Sequence, residues 1–247
     1  MLADLPVFYI APGQAATQLL DDEAAHLSRS LRMQVGDRLY TTDGQGSYQV
    51  QKISSIAKGR VVLQASGSAV AALAQAPSVH LAISTLKATD RMEWMVEKLQ
   101  EIGVCAQLTL LQLDNTERNF INLDRLRRIA IAGLKQSRSP FLLHVEGPKS
   151  LEAWLKSLPQ ATLYFGYYGP IAPSTMLGPA DVKTKVAMAI GPEGDFSITE
   201  IALLLQNKAK PTLLGHTRLR AETAAVVAAT QIAYLQNLTD ELNALDI

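Results

Sequence analysis

One stretch constrains this chain more than any other: Ala187 to Ile201, AMAIGPEGDFSITEI. Val186 to Ile190 is an uncharged apolar run, the pattern of a strand buried on both faces of a parallel sheet. It stops at Gly191-Pro192-Glu193-Gly194. Two glycines there can take positive φ and the proline fixes one torsion, so a sharp turn is expected. Ser197-Ile198-Thr199-Glu200 then has the form of a capping box, with Ser197 as N-cap and Glu200 reaching back to its amide. Strand, glycine-rich turn and capped helix place bare backbone amides at the carboxyl end of a strand, where open α/β sheets bind ligands. Taken alone, the turn also fits an ordinary strand-to-helix connection.

A second segment shifts that balance. Pro211 to Gly215 predicts a short strand entering the loop HTRLRAETA, His216 to Ala224, which runs straight into a long apolar helix, Ala224 to Leu238. Arg220, Glu222 and Thr223 crowd the mouth of this aliphatic segment, where charge is costly unless paired or functional. A further glycine-bearing turn, Gly166-Tyr167-Tyr168-Gly169-Pro170, follows the buried-type strand Ala161 to Phe165.

At 247 residues the chain can hold one large domain or a small and a medium one. Its formal net charge is zero, so nothing global points to nucleic acid or an anionic membrane. The single cysteine, Cys105, excludes an intrachain disulfide and a cysteine-rich zinc site; it suits a reducing cytosol and reads as a small core residue. His26, His80, His144 and His216 show no ligand spacing, so no metal is expected. There is no apolar run of the ~20 residues that span a bilayer, and MLADLPVFYIAPG lacks the basic start and apolar core of a signal peptide. The expectation is a cytoplasmic protein.

The first seventy or so residues predict a small β-rich unit. Val7–Ile10 is a strand; Asp21–Ser30 is a short helix with acids at its positive end. Arg38–Thr42, the turn Asp43-Gly44-Gln45-Gly46 and alternating Ser47–Ile53 form a hairpin, and Arg60–Gln64 adds a strand. Short strands joined by turns predict a compact barrel. Arg29, Arg32, Arg38, Lys52, Lys58 and Arg60 are matched by six acids in this unit, so an RNA surface here requires spatial segregation of charge. Ala65–Pro77, small and low in complexity, reads as a linker.

From Ser78 the pattern alternates strand and helix, which predicts an α/β domain. Val79–Thr85 is a strand. Asp90 with Glu93 forms a capping pair for a helix whose Met92, Met95, Val96, Leu99 and Ile102 recur at helical spacing, ending at Gly103. Ala106–Leu111 is the next strand, and Ser150 begins a helix reaching Leu158. Between them lies the basic region: Arg118, Arg125, Arg127, Arg128, Lys135 and Arg138 against Asp124 alone. Asn122 is the expected N-cap of a helix whose polar side either lies on a phosphate backbone or is a solvated face.

GPEGDFSITE together with LLGHTRLRAETAA resembles the paired cofactor-loop signature of the SPOUT methyltransferases. More narrowly, it resembles the RsmE family, which methylates N3 of a uridine in small-subunit (16S) ribosomal RNA. HLSRSLRMQVGDRL, KATDRMEWMVEKLQEIGV and ERNFINLDRLRRIAIAGLKQS extend the resemblance along nearly the whole chain. It implies a PUA-like RNA-binding β-barrel, 1–72, followed by an α/β domain, 73–247, with a trefoil knot over about 160–247. It also implies S-adenosylmethionine as cofactor, ribosomal RNA or the small ribosomal subunit as partner, and a homodimer. Composition and periodicity alone point instead to an unknotted doubly wound sheet.

Carried over by that resemblance, Ile190, Gly191, Pro192, Glu193 and Gly194 form one cofactor loop. Leu214, Gly215, Leu219, Arg220, Glu222, Thr223 and Ala224 form the other, and Phe165 and Gly166 supply a third wall. Arg29, Arg32, Arg125, Arg127, Arg128, Lys135 and Arg138 are the candidate RNA contacts. The chain departs from the family pattern at Asp195, where many relatives have glycine, and at Thr217-Arg218, where many have arginine-isoleucine. LPVFYIAPG also lacks an arginine that many carry near the start. The implied chemistry needs alignment and a deprotonated N3. Arg220 is expected to hold the uracil, and Glu222 and Glu193 are candidate bases that could instead cap a helix or orient Arg220. Two alternatives remain at this stage: an RNA-binding or ribosome-assembly protein without catalysis, and a SPOUT enzyme acting on another RNA.

Overall fold

The computed structural model describes residues 5–71, 75–117, 121–170, 174–183 and 185–245. The chain divides into two compact units: residues 1–76 with 131–142, and residues 77–130 with 143–247. The first unit is a curled sheet. β1 (Val7–Tyr9), β3 (Arg38–Thr42), β4 (Ser47–Ala57), β5 (Arg60–Ala65) and β2 (Gln18–Leu20) are neighbours in that order, and β6 (Val70–Ala71) pairs with β4. The β3–β4 hairpin forms as its glycine-bearing turn dictates, with Tyr40 opposite Val50. β4 runs on past Ile53 to Ala57 through an irregularity between Ile53 and Ser55, which extends its pairing with β5. Phe8, Leu27, Leu39, Ile53, Val61 and Leu63 close the core. The expected helix over 21–30 is α1 (Asp21–Ala25) followed by a wider π-helical turn over His26–Ser30.

The return of residues 131–142 to this unit has no sequence signal of its own. Leu134 packs with Val7, Tyr40, Tyr48 and Val50, Lys135 Nζ donates to Glu23 Oε1 at 2.6 Å, and the Tyr48 hydroxyl donates to the carbonyl of Arg138. α3 (Leu123–Ser137) therefore begins in one unit and ends in the other. Its Leu126, Ala130 and Leu134 are buried.

The second unit is a six-stranded sheet in the order β12 (Lys210–Thr212), β10 (Thr162–Gly166), β11 (Val186–Ile190), β7 (Val79–Ser84), β8 (Cys105–Gln112), β9 (His144–Ser150). Every neighbouring pair is parallel. β11 is buried at all five positions, as an uncharged strand between two parallel neighbours must be. α2 (Thr89–Ile102) buries Met92, Met95, Val96 and Leu99 and packs against α6 (Ala221–Leu245). α4 (Leu151–Ser157) and α5 (Ile198–Gln206) bring Trp154, Ile201 and Leu204 onto Phe165, Ala187 and Ala189 of the sheet.

Two local expectations are corrected. α2 starts at Thr89 after an extended Ala88, so Asp90 is not its cap but stands in the first turn, where its charge meets the positive helix end. Glu93, in turn, is taken up by an ion pair with Arg125. α6 starts at Ala221 rather than Ala224, because the Arg220 carbonyl already accepts the Ala224 N–H at 2.8 Å; Glu222 and Thr223 thus belong to its first turn. Among the described residues no helix is long and apolar enough to cross a membrane.

Cys105 is buried in β8, and burial pushes its thiol up to about 12. At neutral pH the native protein is therefore expected to leave it unmodified by a thiol reagent. One equivalent should react only after unfolding, which a colorimetric thiol titration with and without denaturant checks.

Candidate functional site

The carboxyl ends of β10, β11 and β12 lie side by side, and the loops leaving them enclose a cavity of about 300 Å³. Gly166, Ile190, Gly191, Pro192, Glu193, Leu214, Gly215, Leu219, Arg220 and Ala224 all line it. Four other expected residues do not form its wall. Phe165 is fully buried behind it with Tyr167 and Phe196; Gly194 lies over Asn115; Glu222 and Thr223 sit in the first turn of α6. Tyr167, Tyr168, Asp195, Thr217 and Arg218 join the lining.

The first loop turns sharply, as expected, with the Asp195 N–H donating to the Pro192 carbonyl at 3.0 Å, but not through its glycines. Neither Gly191 nor Gly194 has positive φ; the left-handed residue is Asp195, at φ +69°. The glycines serve close approach instead. A Cβ on Gly191 would meet the Phe196 ring at 3.1 Å, and one on Gly194 would meet Asn115 Cβ at 3.3 Å. Aspartate is one of the few side chains that tolerate this conformation.

A tight network fixes the loop to α5 and to the turn after β8. Ser197 Oγ accepts the Glu200 N–H at 3.2 Å, and Glu200 Oε2 accepts the Ser197 N–H at 2.8 Å, the expected capping box. The second oxygen of buried Glu200 accepts the Asp114 N–H at 2.8 Å, and Ser197 Oγ donates to Asp114 Oδ2 at 2.6 Å. Asn115 Nδ2 donates to the carbonyl of Asp195 at 3.0 Å. The sequence reading missed Asp114 and Asn115; LDNTE carries no glycine or capping pattern to mark it. It also missed Gln231, whose Nε2 donates to the Leu214 carbonyl at 3.2 Å from one helical face of α6 and so holds the root of the second loop. Tyr168 Oη donates to the His216 carbonyl at 3.4 Å, linking the third wall to that loop.

The three candidate catalytic side chains occupy different surroundings. Arg220 is exposed at the cavity wall and its guanidinium has no ion-pair partner among the described residues. Glu193 is exposed on the facing loop. Glu222 is buried and turned toward α2, where Arg91 Nη1 stands 3.8 Å from its Oε1; Arg91 carried no sequence signal.

The basic residues fall in both units. Arg29, Arg32 and Arg138 are exposed in the first, where Lys135 is held by Glu23. In the second, Arg125 forms a forked ion pair with Glu93 and Asn122 Oδ1 caps the helix by accepting the Arg125 N–H at 3.0 Å. Arg127 reaches Asp124 Oδ1 at 3.2 Å and the Val145 carbonyl at 3.3 Å; Arg128 donates to the Asp124 carbonyl at 3.3 Å. All three arginines remain solvent-exposed. Arg118 lies outside the described residues.

Residues 74–233 match the RNA methyltransferase domain family. A solved structure of a probable rRNA-methyltransferase from Porphyromonas gingivalis is 35% identical, with a TM-score of 0.83 over 95% of this chain and 99% of that one. A ribosomal RNA small subunit methyltransferase E from Synechocystis sp. is 28% identical over 90% of this chain and 75% of its own length. The protein of that name from Neisseria gonorrhoeae, crystallised with S-adenosyl methionine, shares the fold at 22% identity and a TM-score of 0.78, covering 95% of this chain and 98% of that one. With more than half its length matched by the family and a relative of the same class aligned nearly end to end, the chain belongs to the RNA methyltransferase domain family.

Proposed function

We propose that this protein transfers the methyl group of S-adenosylmethionine to N3 of a uridine in small-subunit ribosomal RNA. The observation that carries the reading is the cavity between the two loops, lined by glycines, aliphatic side chains and two tyrosines together with the charged groups Glu193, Asp195, Arg218 and Arg220. Its volume of about 300 Å³ is at the lower end of the range for small-molecule sites. The donor fits the residues present. Gly166 keeps one wall low, since a Cβ there would crowd Leu214 Cδ1 at 3.0 Å and Ile190 Cδ1 at 3.1 Å, two side chains that also line the cavity. The names of the Porphyromonas and Synechocystis relatives support ribosomal RNA as the acceptor. The choice of uridine N3, a PUA-like role for the curled sheet, a trefoil knot in the C-terminal segment and a homodimer complete the proposal; these rest on the resemblance of the loop motifs.

When bound, the donor supplies an electrophilic methyl group, so the protein's task is to orient the base and stabilise its anion. Uridine N3–H is a weak acid, and transfer requires negative charge to develop on the ring and its carbonyl oxygens. Arg220 supplies positive charge for that anion. Of the two carboxylates, Glu193 lines the cavity and is the better placed to take the N3 proton; Glu222 is committed to Arg91 and to the first turn of α6. No part of the chemistry calls for a metal.

Mass-spectrometric mapping of methylated uridines in ribosomal RNA, from cells with and without this gene, tests the reading. It predicts one N3-methyluridine that disappears with the gene; an unchanged map overturns it. For the acceptor surface, reversing Arg125, Arg127 and Arg128 to glutamate is expected to weaken RNA binding and flatten its dependence on salt, because each lost phosphate contact removes about one unit from the salt slope. A filter-binding series in rising salt reads this, and an unchanged slope returns the helix to a solvated, self-paired face.

A further inference from the structure

The cavity has an acid on one lip and a base on the other. Asp195 belongs to the loop after β11 and Arg218 to the loop after β12; both line the cavity, and Arg218 Nη2 stands 3.8 Å from Asp195 Oδ2. The two ends of this contact are held differently. Asp195 is anchored from behind: Asn115 Nδ2 holds its carbonyl at 3.0 Å, and its Oδ1 accepts the N–H of Phe196 at 2.9 Å. One carboxylate oxygen thus fixes the turn, and the other is left facing Arg218. Arg218 sits among exposed His216 and Thr217, and its own side chain is 65% exposed. A fixed anion on one loop therefore meets a solvent-facing cation on the other.

We propose that Asp195 and Arg218 form an electrostatic strap across the cavity mouth, acting as positioning residues that set how long an adenosyl ligand stays bound. The inference rests on the reading of this cavity as the methyl-donor site. Any parting of the two loops that lets a ligand out separates this pair. Because the pair is exposed, its effect is modest and is screened by salt.

Two variants isolate the charges. Asp195→Asn keeps a side chain that tolerates the left-handed backbone and can still accept the Phe196 N–H; Arg218→Met keeps the stem and removes the cation. Each is expected to release S-adenosylhomocysteine about two- to fivefold faster than wild type, with the double variant no faster than either single one. Arg218→Lys should restore most of the difference. Raising salt from about 0.05 to about 0.5 M should bring wild-type release toward that of the variants. In the free protein, hydrogen exchange of segments 191–196 and 214–219 should quicken in both single variants. Additive effects, or unchanged release together with unchanged exchange, overturn the strap. Failure of the wild-type protein to bind S-adenosylmethionine or S-adenosylhomocysteine overturns the donor-site reading itself, a result calorimetry on the unmodified protein gives separately.

Discussion

Arg220→Ala is expected to slow methyl transfer by about 10²–10³-fold, the usual loss on removing one preorganised donor from a site where anionic charge develops. Affinity for S-adenosylmethionine should stay within severalfold. Arg220 immediately precedes α6, and its carbonyl accepts the Ala224 N–H at 2.8 Å, so the backbone at this position is fixed whatever side chain it carries. The guanidinium is exposed, lines the cavity and has no ion-pair partner among the described residues, so truncation leaves no buried charge uncompensated. A stability change is not expected; a rate change is. Single-turnover assays on ribosomal RNA, with calorimetry of donor binding alongside, separate the two. Arg220→Lys keeps the charge but not the planar fork and should recover only part of the rate. Full activity in Arg220→Ala would remove this residue from the mechanism.

Gly166→Val is expected to act on the other term, donor binding. Even an alanine Cβ would stand 3.0 Å from Leu214 Cδ1 and 3.1 Å from Ile190 Cδ1. Valine's two further methyl groups must push these side chains apart or project into the cavity. Overpacking of this kind typically costs about 1–3 kcal/mol of stability, and whatever part of it arises only when the donor is bound lowers affinity, by up to about 150-fold. The sheet should survive, because Gly166 is the last residue of β10 and its backbone pairing does not depend on a side chain. Isothermal calorimetry together with a melting curve checks this. Unchanged affinity would place the donor elsewhere than between Leu214 and Ile190.

These effects arise where the sequence was easiest to read. An uncharged strand such as Val186–Ile190 followed by a glycine turn and a capping box has few ways to fold, and it forms as the residues dictate. The same holds for the helical spacing of α2 and for Asn122 as the cap of α3. The misreadings share a cause. Asp90 has the chemistry of a cap, and Gly191 and Gly194 the freedom for positive φ, but residue type only permits these roles. Which residue takes the role is set by what packs against it: Phe196 and Asn115 force the glycines bare, and the left-handed turn passes to Asp195.

Contacts between segments distant in sequence left no local mark. Asn115 holds Asp195 from 80 residues away, Arg91 meets Glu222 across two helices, and Gln231 steadies Leu214 from the third turn of a long helix. Periodicity reports which face of an element is buried, but not which other element covers it. Local patterns of burial and torsion dictate the parallel sheet, its three loop-bearing strand ends and the residue types that can surround a small ligand. The tertiary structure alone decided which side chains face the cavity, which carboxylate is committed to an arginine, and that Asp195 and Arg218 meet across it. Those outcomes depend on how the strands order themselves in the sheet, and no local pattern encodes that order.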